Sequence, residues 1–115
     1  MSYQQSFVAS GGGAVEIVTE SGTSRTLQLS DAYKYIRTTN GSAVTITVPP
    51  NSSVAFETGT QIDLFQDGAG QVTFAEGSGV TINSFLGLKI ANQYQAVSLI
   101  KVNTNEWDLV GATIS

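Results

Sequence analysis

The sequence predicts an all-β fold: a single antiparallel β-sandwich or jelly-roll-like domain with a flexible N-terminal arm. Three observations carry that prediction. Short β-type segments recur with turn residues every ~8 to 12 positions. No stretch sustains a helical period, and Gly, Thr, Ser and Val are plentiful where helix formers would be needed. The chain has 115 residues, enough for one hydrophobic core and too few for two comfortable ones.

The elements follow in order. Residues 1–14, MSYQQSFVASGGGA, form the expected arm and glycine hinge, and residues 15–115 form the domain. Tyr3, Phe7 and Val8 give the arm something to bury, so it reads either as a disordered terminus or as a segment that orders against a neighbouring subunit. Val15 to Thr19 and Thr26 to Leu29 are strands with a hairpin connection at Glu20-Ser21-Gly22-Thr23, and Leu27 and Leu29 share a face. After a turn at Ser30-Asp31-Ala32 comes the aromatic strand Tyr33 to Thr38, then Asn40-Gly41, the strongest short turn signal in the chain. In SAVTITVPP, Val44, Ile46 and Val48 point inward and Thr45 and Thr47 outward, until Pro49-Pro50 withholds the ladder donors. Later strands are expected at Gln61 to Gln66, Gln71 to Ala75, Val80 to Asn83, Gly87 to Ala91, Gln95 to Val102 and Glu106 to Val110, with Trp107 and Leu109 closing the core. SAVTI, GQVTF and SGVTI echo one another at irregular spacings, which reads as recurring strand-after-turn chemistry and not as a solenoid repeat.

Composition removes several function classes. There is no cysteine and no histidine, which excludes disulfides, thiolate nucleophiles, imidazole bases and Cys/His zinc sites. The net charge is -4, and the five cations Arg25, Lys34, Arg37, Lys89 and Lys101 are scattered, against the clustering that phosphate contacts require. No run approaches the ~18 apolar residues of a membrane span, and the N-terminus lacks the pattern of a secretory signal. Charged residues are only 12%, so the surface must rely on Ser, Thr, Asn, Gln and Gly, a composition suited to dense protein assemblies.

Candidate sites narrow in the same way. DGAGQVTF has the glycines of a phosphate-binding loop, but Gln71 and a β-branched strand stand where such a loop has its Lys and helix, so these glycines read as turn residues. Asp63, Asp67 and Glu76 are oxygen ligands without EF-hand spacing. Glu106 and Asp108 flank Trp107 on one strand face and read as solvated acids, although paired carboxylates can hydrolyse glycosides. Aromatic positions are more informative. Tyr33 and Tyr35 share a face opposite Ile36, and this strand, the Phe85-Leu86 turn and Phe56 in its long loop are divided between core and subunit interface.

From Thr26 to Ser53, and again over QIDLFQDGAGQVTFAEGSGVTIN and LKIANQYQAVSLIKVNTNEWDLVG, the sequence resembles a module of tailed-bacteriophage virion proteins, found in capsid decoration (cement) proteins and in tail-fibre proteins. The resemblance spans strand Gln61 to Leu64, turn Asp67 to Gly70, strand Val72 to Phe74, turn Gly77 to Gly79, strand Val80 to Asn83 and the closing Trp107 to Gly111. It implies a non-enzymatic virion structural role, on the capsid exterior or alternatively in the tail. It also implies a homotrimer bound to the major capsid protein or another virion protein, with no cofactor, metal, nucleic acid or membrane involved. The expected contact residues are Tyr3, Phe7, Val8, Tyr33, Tyr35, Phe85 and Leu86.

Overall fold

A computed structural model describes residues 13–115 and is all-β apart from one 3-10 turn, Leu29–Asp31. Tyr3, Phe7 and Val8 of the expected arm lie outside the described residues. The strands are β1 (Ile17–Glu20), β2 (Ser24–Thr26), β3 (Tyr35–Thr38), β4 (Val44–Val48), β5 (Gln61–Gln66), β6 (Val72–Glu76), β7 (Thr81–Asn83), β8 (Lys89–Ile90), β9 (Ala96–Asn103), β10 (Glu106–Gly111) and β11 (Thr113–Ile114). They form a six-stranded sheet, β1-β3-β5-β9-β10-β7, and a five-stranded sheet, β11-β8-β6-β4-β2.

The expectation of an antiparallel sandwich is corrected by the pairing. β1, β3 and β5 run parallel in one sheet while β2, β4 and β6 run parallel in the other, so the chain passes from sheet to sheet and stacks three solenoid-like coils. Only the second half turns back: β9 is antiparallel to β5 and β10, and β8 is antiparallel to β6 and β11. The sheets are therefore mixed, and the connectivity is not that of a jelly roll. The echo in the sequence is a solenoid repeat after all, since Val44, Thr45 and Ile46 stack in register on Val72, Thr73 and Phe74. The third copy departs: β7 crosses to the other sheet and pairs with β10.

The expected hairpins are corners. Glu20-Ser21-Gly22-Thr23 joins strands in different sheets, as do Asn40-Gly41 and Asp67-Gly68-Ala69-Gly70. Asn40, Gly41, Gly68 and Gly70 lack the positive φ that a primed hairpin turn demands. What Gly68 and Gly70 supply is closeness, because a Cβ would overlap the carbonyl oxygens of Asn40 and Ser42 in the corner beneath. Backbone bonds tie the corners together: Gly70 donates to Asn40 O (3.0 Å), Thr39 to Glu20 O (3.0 Å), and the Asn40 side chain to Ser21 O (2.9 Å).

One core lies between the sheets. Ile36, Leu64 and Val97 form an inward row from the six-stranded sheet, with Ile62, Leu99 and Leu109 beside it, and Ile46, Phe74, Val44 and Val72 face them from the other sheet. Trp107 is buried as expected, with Phe56 edge-on to it at 5.4 Å, which assigns Phe56 to the core. Leu29 is instead exposed, because β2 ends at Thr26 and the 3-10 turn rotates it away from buried Leu27.

Two polar groups complete the interior. The inward positions of the first coil include Glu20 and Arg25, and Arg25 bridges Glu20 (2.8 Å) and the buried Asp31 (2.6 Å). The Arg25 hydrogen bond holds the Glu20 carboxyl below its usual range, and the Asp31 bond foremost raises the guanidinium. Lys101, beside Trp107, is buried and donates to Asn51 Oδ1 and Phe56 O, both at 2.7 Å, pinning the long loop that delivers Phe56; burial lowers its pKa.

Candidate functional site

The outer face of the six-stranded sheet is built by the residues that alternate with the core rows. Register places Ile17, Tyr35, Asp63, Ser98 and Val110 in one line across five strands, and Thr19, Arg37, Phe65 and Ala96 in the next. Tyr35 stacks on Phe65 with ring centroids 6.0 Å apart, and Tyr94 adjoins Phe65 at 6.4 Å. The Arg37 guanidinium lies 5.3 Å from the Phe65 centroid while pairing with Asp67 at 2.6 Å. The result is an aromatic strip interleaved with polar groups.

Asp63 is the deepest of those groups. It points away from the core between the Tyr35 and Ser98 positions, yet is only 3% exposed. Its Oδ1 accepts from the Ser98 hydroxyl and from Gln61 Nε2 (3.1 Å). Burial raises its pKa, and those two hydrogen bonds oppose the rise.

Two tyrosines carry backbone strain. Tyr33 has φ 63° and Tyr94 φ 66°, the positive-φ residues other than glycine among those described. For a bulky side chain this region is a genuine outlier, costing of order 1–3 kcal/mol each. Tyr33 is 44% exposed and Tyr94 66%, so packing offsets that strain only in part. The geometry holding them is matched: Tyr33 N–H donates to Gln61 O (2.8 Å) and Tyr94 N–H to Gln66 O (2.7 Å), the first and last residues of β5.

A second feature lies where β7 leaves the sheet. Phe85 is 95% exposed and Leu86 55%, beside a cleft of about 400 Å³ lined by Asn83, Phe85, Asp108, Val110 and Thr113 among others. The loop is tied down, since Ser84 Oγ donates to Gly87 O (2.5 Å). Gly87, at φ 155°, sits so close to the Ile114 carbonyl that a Cβ would overlap it.

The structure thus brings Tyr33 and Tyr35 near one side of this sheet and sets Phe85 and Leu86 at its far edge. Tyr33 is not a strand residue as expected, because its left-handed φ turns the chain before β3 begins. Asp63, Phe65, Arg37 and Tyr94 were not among the expected contact residues. The outward pair Asp63 and Phe65 was signalled by the alternation of QIDLFQ, whereas the conformation of Tyr94 left no local trace. Asp67 and Glu76 have their own partners, Arg37 and the Ile82 N–H (2.8 Å). Glu106 and Asp108 share a face and both accept from Asn83 Nδ2. Among the described residues, no group of three or more His, Cys, Asp or Glu is placed to hold a metal ion.

No protein-family model, curated protein or solved structure matches the chain.

Proposed function

We propose that this chain is a non-enzymatic structural protein of a tailed-bacteriophage virion, a capsid decoration protein that binds the outer shell between capsomers and stabilises it. The reading starts from the sequence resemblance over the strand-and-turn motifs from Thr26 to Gly111. Two facing sheets over a single core supply the sandwich-like body such a module needs, here reached by coiling.

The observation that carries the reading is Phe85. An almost fully exposed phenylalanine on a loop braced by Ser84 and Gly87 is an apolar knob on a fixed backbone, and large exposed apolar groups mark contact surfaces. That bracing limits the backbone entropy lost when the loop docks. Many weak contacts of this kind, repeated over a shell, hold through multivalency. Contact to a neighbouring subunit or capsid protein through Tyr3, Phe7 and Val8 is part of the same proposal.

The test is light scattering of the protein alone and with mature empty shells of the phage that carries it. A homotrimer loading at fixed copy number supports the assignment. A protein that ignores the shells overturns it in favour of the second reading, a receptor- or glycan-binding module of the tail, which the strained exposed tyrosines favour. Deleting residues 1–13 is expected to lower shell occupancy while leaving the domain folded, and unchanged occupancy would remove the arm from the mechanism.

A further inference from the structure

We infer that the outer face of the six-stranded sheet, along β5 from Tyr33 to Tyr94, is a binding strip for an uncharged oligosaccharide. The inference deepens the second reading above and does not depend on shell binding, because the strip centres on β5, two strand positions from β10 and the Phe85 cleft.

Strain is the first argument. Two left-handed tyrosines at the two ends of one strand strain the backbone while leaving about half or more of each side chain in solvent. Glycine would occupy either position without strain. Tyrosine there is explained by what its ring does outside the molecule, and the backbone bonds to Gln61 O and Gln66 O fix where each ring projects from. β5 spans roughly 17 Å at the usual rise per residue, room for several pyranose rings in a row.

Chemistry chooses the ligand. Pyranose rings have an apolar C–H face that rests on aromatic rings and a rim of hydroxyls that seek planar polar partners. Tyr35, Phe65 and Tyr94 supply the aromatic surface. Gln61 and Ser98 supply hydrogen-bonding groups beside that surface, oriented by the sheltered Asp63 carboxyl to which both donate. Charge excludes the alternatives. Arg37 is neutralised by Asp67, Lys34 faces Glu16 at 3.6 Å, and the chain is net acidic, so no unpaired cation on the strip would attract a polyanion. A protein partner of ordinary affinity would need an apolar centre, which here is occupied by Asp63.

The experiment is affinity electrophoresis through native gels containing dextran, hydroxyethyl cellulose or galactomannan, with polygalacturonate as the anionic comparison. Thermal unfolding is measured in parallel. Retardation by at least one neutral polymer, and none by polygalacturonate, is expected. Tyr33→Gly and Tyr94→Gly should each weaken that binding about tenfold with Tm unchanged or raised, whereas Thr45→Ser on the opposite sheet should leave it intact. Three outcomes overturn the proposal: no retardation by any neutral polymer, retardation that survives both tyrosine substitutions, or a marked fall in Tm in the glycine variants, which would show that the tyrosines serve the fold.

Discussion

The two sheets present opposite outer faces made by one rule of alternation. On the five-stranded sheet, register lines up Ser24, Thr45, Thr73 and Lys89, with Thr26, Thr47 and Ala75 beside them, a face made mostly of small hydroxyls that are exposed or half-buried. On the six-stranded sheet the equivalent positions hold stacked aromatics, a cation over a ring and a sheltered carboxyl. Threonine suits a pleated solvated surface and asks for nothing else. The contrast shows that coiling alone does not need the aromatic face, since the hydroxyl face is carried by the same coils without it.

Substitutions separate the two faces, beginning with one that removes both. Gly70→Ala forces a Cβ into the Ser42 carbonyl at the corner that joins β5 to β6, and is expected to cost more than about 3 kcal/mol in urea unfolding. Phe65→Ala removes the ring between Tyr35 and Tyr94 and the contact with Arg37, at an expected cost of about 1–3 kcal/mol. Thr45→Ala, its counterpart on the hydroxyl face, should cost within about 0.5 kcal/mol. Equal losses at the two sites would erase the distinction between the faces.

A subtler comparison uses pH. Native Asp63 binds its proton more tightly than the unfolded chain does, so its contribution to stability rises as pH falls through its raised native pKa and is complete below the ordinary aspartate value. Glu20 acts in the other direction: its depressed pKa adds stability above the ordinary glutamate range that is lost in acid. Asp63→Asn should therefore be more stable relative to wild type at neutral pH than in acid. A difference between the two proteins that stays flat from neutral to acid would show that the carboxyl is not sheltered.

The sequence made faces legible and neighbours illegible. Alternation in SAVTITVPP and QIDLFQ assigns the inward side of β4 and β5 correctly, because period 2 is a local property of the pleat. Which strand lies alongside is decided by the connection, and a corner between sheets uses the same Asn, Asp and Gly as a hairpin. Gly68 and Gly70 look like residues chosen for positive φ and are in fact chosen for the missing Cβ, which only the stacked corner reveals. Lys101 was equally hidden, one of five scattered cations until the loop from Asn51 to Phe56 closes over it.

Stacked coils have an inherent problem of termination, since the end of one stack is a template for the next. The Glu20, Arg25 and Asp31 cluster sits where the first coil would otherwise offer an apolar end. Another copy adding there would have to seal an arginine and two carboxylates away from water, at a cost of several kcal/mol. The cluster thus disfavours addition of a second copy at this end.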